Sequence, residues 1–150
     1  MQNTSHPPVA PGYYLVRPIV GLQYLVNVDF QLGIKKGEGI HTFEFFYVAD
    51  KNSFIINDQF ASRSVRWNGK TGVGNLVWDR QNISDDSMLW IIEKEDKQHL
   101  MIRNKKDPTM VWDVHNYNPG IGVNIKLEKE HPAGITDRKA QLFVFEDPRQ

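Results

Sequence analysis

The chain has 150 residues, of which 18 are basic and 18 acidic, and it contains no cysteine. That length suits one domain able to bury a core without staples. The missing cysteine excludes disulfides and thiolate metal sites and leads us to expect a cytoplasmic protein. Balanced charge supplies no net field toward nucleic acid or an anionic membrane, and no apolar run approaches the roughly 20 residues of a membrane helix.

Residues 1–11 are polar and proline-bearing, without a basic leader or apolar stretch, and read as a flexible tail rather than a signal peptide. From residue 12 onward, alternating apolar runs rich in Val, Ile, Phe, Tyr and Trp predict strands. They fall at 13–16, 24–28, 32–36, 42–48, 53–57, 64–67, 75–78, 88–93, 99–103, 110–114, 123–127 and 141–146. Turn residues separate them, among them Asn68-Gly69 and Asp96-Lys97. No long stretch keeps the 3.6-residue apolar period of a helix.

The runs repeat in order. Tyr14-Leu-Val16, Phe54-Ile-Ile56 and Leu100-Met-Ile102 open three units, about 40 and 46 residues apart. Each is followed by a strand ending in Asn or Asp (Asn27, Asn68, Asp113), then a glycine-led strand, then an aromatic closing strand. Three units of four strands predict an all-β, pseudo-threefold β-trefoil over residues 12–150, with repeats at about 12–52, 53–98 and 99–146.

Within the third unit, Met110-Val-Trp-Asp-Val-His-Asn, Gly120-Ile-Gly-Val-Asn-Ile and Gln141-Leu-Phe-Val-Phe resemble one repeat of the ricin-B-type trefoil. Gly12-Tyr-Tyr-Leu-Val, the run Trp67, Trp78, Trp90 and the absence of cysteine make the chain similar to small trefoils of mushroom fruiting bodies. That resemblance implies one of two functions, a sugar-binding lectin or a protease inhibitor, and fold alone does not choose between them.

The residues favour carbohydrate. A sugar site needs fixed polar acceptors for hydroxyls and an aromatic plate for the C–H face. The second unit has both residue types, and in the lectins it resembles the groove between these segments holds the glycan. The resemblance implies Trp67 and Trp78, at turn-flanking positions, as plates, with Asn68, Ser87 and the backbone of Met88 and Leu89 as polar partners. Trp90, alternating with Ile92, reads as core. The third unit is the secondary candidate, with Asp113 at the hydroxyl-binding position of the ricin-type repeat, followed by His115 and Asn116; Lys126 or Leu127 replaces the aromatic expected on the next strand. In the first unit Asn27 is followed by Lys36, which argues against a site.

Catalytic signatures are missing: no Gly-x-Ser-x-Gly elbow, no His-Glu-x-x-His pair and no phosphate-binding glycine loop before a helix. The expectation is therefore a non-catalytic protein, and the resemblance implies a defence-type lectin, monomeric or homodimeric, binding glycans or glycoproteins. It would need no cofactor or metal, and would neither bind nucleic acid nor insert into membranes. The alternative is a trefoil inhibitor presenting a rigid loop at 29–36 or 129–139.

Overall fold

The computed structural model describes residues 7–21, 23–28, 30–34, 41–58, 62–115 and 123–149, without the side chains of Val123 and Asn124. Residues 1–6, the end of the third expected strand at 35–36, and Asn116 therefore lie outside the described residues. Twelve strands run in chain order: β1 (Gly12–Pro18), β2 (Val26–Val28), β3 (Gln31–Ile34), β4 (Phe43–Val48), β5 (Ser53–Asp58), β6 (Arg63–Trp67), β7 (Leu76–Asp79), β8 (Trp90–Lys94), β9 (Leu100–Asn104), β10 (Met110–Val114), β11 (Val123–Lys129) and β12 (Phe143–Glu146). The helical content described is three short 3-10 turns, Ala49–Lys51, Asp86–Met88 and Thr136–Gln141.

Six strands close into a barrel. β1 pairs with β4, β4 with β5, β5 with β8, β8 with β9, β9 with β12, and β12 returns to β1, all antiparallel. Closure leaves this ring without an edge strand. The remaining strands form three hairpins, β2–β3, β6–β7 and β10–β11. Backbone pairing of β3 with both β7 and β11 joins the hairpins of the first unit to those of the other two.

The register shows the threefold relation. Within the units, Tyr14 lies opposite Phe43, Phe54 opposite Trp90, and Leu100 opposite Phe143. Two residues further along, between units, Phe45 faces Ile56, Ile92 faces Ile102 and Phe145 faces Val16. Phe43, Trp90 and Phe143 are all buried at the barrel centre, as are Val16, Ile56 and Ile102. This arrangement is a β-trefoil, as the order of strand types predicts.

One side chain completes the join between hairpins. Asn75, buried just before β7, donates from Nδ2 to the Leu127 carbonyl at 3.0 Å and accepts the Leu127 N–H on Oδ1 at 2.8 Å. An amide side chain here makes the paired contacts that a strand backbone would make. Smaller clusters cover the outside of the barrel: Val48, Ile55, Met88 and Leu89 in one, Met101, Val111 and Leu142 in another. At the N-terminal side, Val9 packs against the core and the Tyr14 hydroxyl donates to the Ala10 carbonyl at 2.6 Å, so residues just before β1 are engaged with the domain.

Candidate functional site

All five residues of β10 are buried, and Asp113 is 6% exposed among apolar neighbours. An ionised carboxylate so placed needs partners. Gln141 provides one, donating from Nε2 to Asp113 Oδ2 at 2.8 Å. The amide of Gln141 is itself fully committed: Nε2 also donates to the Lys129 carbonyl at 2.8 Å, and Oε1 accepts the His131 N–H at 2.8 Å. These three contacts fix which way the amide points.

Around Asp113, Lys126 lies directly opposite on β11, and His131 Nε2 stands 3.8 Å from Asp113 Oδ2. Burial raises the Asp113 carboxyl above the ordinary aspartate range, while Gln141, Lys126 and His131 pull it back. Oδ1 carries no hydrogen bond to a described residue. Asp113, His115, Lys126, His131 and Asp137 line a cavity of about 370 Å³, with Val20, Val114 and Ala140 as apolar walls. That volume is at the small end of the roughly 300–1,000 Å³ of small-molecule pockets. A larger cavity of about 620 Å³ between β1, β8, β9 and β12 has no carboxylate among the described residues of its lining, and so no acceptor of two adjacent hydroxyls comparable to Asp113.

The loop bearing His131 is held from behind. Arg138, in the turn Thr136–Gln141, donates to Glu95 at 2.7 and 2.8 Å, to Glu130 at 2.8 Å and to the His131 carbonyl at 2.6 Å. Arg103 reaches Glu130 from the other side at 2.8 Å and Glu93 at 2.8 Å. Hydrogen bonds from Arg103 and Arg138 hold the Glu130 carboxyl below the usual range, and those from Arg138 do the same for Glu95. A continuous chain of contacts therefore runs from Glu95 through Arg138, His131 and Gln141 to Asp113.

The second unit differs from its expected geometry. Trp78 is 4% exposed, sits in the main core and stacks on Phe43 at 5.5 Å with 12° between the rings. This corrects the partial exposure expected of it. Trp78 shares its strand face with the fully buried Leu76 and lies opposite the fully buried Val65, so the pleat turns it inward although Asp79 beside it points outward. It therefore presents no plate to a ligand. Trp67 is half-buried against the core, with its indole N–H bonded to the Lys70 carbonyl at 2.8 Å.

Its expected polar partners are also engaged internally. Asn68 accepts the Lys70 N–H on Oδ1 at 3.0 Å, fixing the turn through Gly69. The Ser87 hydroxyl donates to Asp85 at 2.7 Å, and the Ser87 carbonyl accepts from Asn104 at 3.1 Å. Met88 and Leu89 are buried over Ile55, the Met88 N–H donates to the Asp85 carbonyl, and the Leu89 carbonyl accepts the Lys105 N–H at 2.9 Å. Backbone saturated in this way has little left for a sugar. Trp90 is core, as expected, with its N–H on the Val65 carbonyl at 3.0 Å. In the first unit Asn27 is spent on structure, donating to Asp58 at 2.6 Å and accepting the Phe30 N–H at 3.0 Å.

Of the sequence-predicted residues, the structure thus gathers Asp113 and His115 at one cavity and commits Trp67, Asn68, Trp78, Ser87, Met88 and Leu89 to packing or turns. Gln141 and His131 were absent from the predicted set. The Gln-x-aromatic closing strand was the signal for Gln141; nothing local marks His131. Among the described residues, no three His, Asp or Glu side chains converge as a metal site requires, and no helix is long and apolar enough to cross a membrane.

No family model matches the chain, and no curated protein matches it. Solved structures do. A mosquitocidal holotoxin superposes with a TM-score of 0.76 at 16% identity, over 92% of this chain but 17% of the toxin. The Rhizoctonia solani agglutinin gives 0.71 at 15% identity, covering 93% of this chain and 96% of the agglutinin. The Polyporus squamosus lectin, solved with the epitope Neu5Aca2-6Galb1-4GlcNAc bound, gives 0.67 at 15% identity, covering 91% of this chain and 49% of the lectin. At these identities the likeness establishes the shared β-trefoil fold.

Proposed function

We propose that the protein is a non-catalytic glycan binder whose principal site is the Asp113 cavity of the third unit. The observation that carries this reading is a buried carboxylate held by Gln141 in the lining of a small cavity. A carboxylate accepts hydrogen bonds from two adjacent sugar hydroxyls, and Lys126 and His131 can donate to the ring or hydroxyl oxygens. The fixed amide means that little ordering remains to be done on binding. Trefoil lectins among the structural neighbours support glycan binding in general. The resemblance to fungal trefoils suggests a defence role, and the absence of cysteine favours a cytoplasmic location.

A glycan array on the wild type, followed by calorimetric titration of its best ligand into Asp113→Asn, tests the reading. Loss of at least about tenfold in affinity is expected when one partner of a desolvated charge-assisted contact is removed. Unchanged affinity in a variant that melts normally would refute the site.

One observation favours the inhibitor reading. Ile135 is 49% exposed at the crest of a loop whose base Arg138 fixes to Glu95, Glu130 and the His131 carbonyl. A blank array together with protease inhibition abolished by Ile135→Glu would establish that reading in place of the first.

A further inference from the structure

Phe30 precedes β3 with φ at +65°, in the left-handed region. For a bulky aromatic this conformation is a genuine outlier, and glycine or asparagine would fill it with less strain. The backbone is held there from both sides: the Phe30 N–H donates to Asn27 Oδ1 at 3.0 Å, and its carbonyl accepts the Trp78 N–H at 3.0 Å. The ring does not repay the strain by burial, since Phe30 is 59% exposed. A strained, over-determined backbone that presents an unburied ring is the kind of outlier from which function is inferred.

Over one face of the ring lies a cation. The Arg63 guanidinium carbon stands 5.5 Å from the centroid of Phe30. Arg63 makes no hydrogen bond or ion pair to a carboxylate among the described residues; Asp79, whose charge lies near it, is taken by Arg66 at 3.0 Å. An open guanidinium fork next to an exposed ring combines an anion receptor with a stacking plate.

We propose that Phe30 and Arg63 form a second carbohydrate site, selective for an anionic sugar. The C–H face of the ring would lie on Phe30, and a carboxylate or sulfate would lie on Arg63. The site involves the first two units and shares no residue with the Asp113 cavity, though its assignment to a sugar rests on the glycan-binding reading. A nucleic acid would require a basic stripe, and the 18 acidic residues that balance the 18 basic ones argue against one.

Nuclear magnetic resonance titration of the labelled protein with methyl β-D-glucuronide, galactose 6-sulfate and neutral methyl β-D-glucoside tests this. The two anionic probes are expected to shift resonances of Phe30 and Arg63, and to bind at least tenfold more tightly than the neutral glucoside. Arg63→Gln should erase that preference, and Phe30→Gly should weaken both anionic probes about tenfold. Response to only one of them would support the site and name its anion. Anionic shifts confined to Asp113 and Gln141 would overturn the second site while leaving the first, as would unaltered anionic affinity in both variants. Failure of the glycan-binding reading itself is read separately, as a blank array.

Discussion

Gln141 reaches across the third unit to hold Asp113, residues separated by 28 positions in the chain and by 2.8 Å in space. The contact keeps a carboxylate in an otherwise apolar strand, at a cost to stability that the proposed binding role explains.

That cost is measurable. Burial raises the Asp113 carboxyl, so the folded protein holds the proton more tightly than the unfolded chain does. Stability from this group is therefore greatest below about pH 4, and it falls as pH rises through the folded-state value. Asp113→Asn carries no such proton and can still accept from Gln141. It is expected to be as stable as the wild type at neutral pH or more stable, by up to about 1 kcal/mol, and this difference should shrink as pH falls toward about 4. Thermal melts between about pH 3.5 and 7 decide it. A variant less stable at neutral pH would make the carboxylate a structural group.

Trp78→Ala should behave as a core truncation and cost about 3–5 kcal/mol, because the ring is buried on Phe43. Its indole N–H is buried without a hydrogen-bond partner among the described residues. Trp78→Phe removes that unpaired donor along with the lost volume, so it should cost less than about half as much. Denaturant melts of both variants test the difference. Equal losses would show that volume alone governs the position.

Asn75→Ala should destabilise the domain by about 2–4 kcal/mol, out of proportion to its size. It strips both backbone groups of Leu127 of their buried partner, and each orphaned group costs about 1–3 kcal/mol. Hydrogen exchange at the Leu127 amide should accelerate more than exchange in the β1–β4 pair. Uniform acceleration would mean that the contact is not a local tie between the hairpins.

Phe30→Gly should raise stability by about 0.5–1 kcal/mol, because relief of left-handed strain exceeds the added freedom of glycine in the unfolded chain. A lower melting temperature would show that the half-exposed ring contributes packing the strain argument neglects.

The fold was legible in the sequence because its signals are local. A strand declares itself by a period of two, and the same four strand types recur three times from Tyr14, Phe54 and Leu100. Gln141 was legible as part of a closing-strand pattern, although its partner was not. The direction in which Trp78 faces is also within reach of the sequence, since Leu76 and Trp78 share one side of β7. The packing of the three hairpins against one another and the barrel, by contrast, decided whatever depends on residues distant in the chain. It brought Gln141 to Asp113 and Asn75 to Leu127, and it placed the backbone N–H of Trp78 where it pins Phe30 in a strained turn. Burial and pairing belong to neighbours rather than to residues, and in a β-trefoil most neighbours come from another strand, often of another unit.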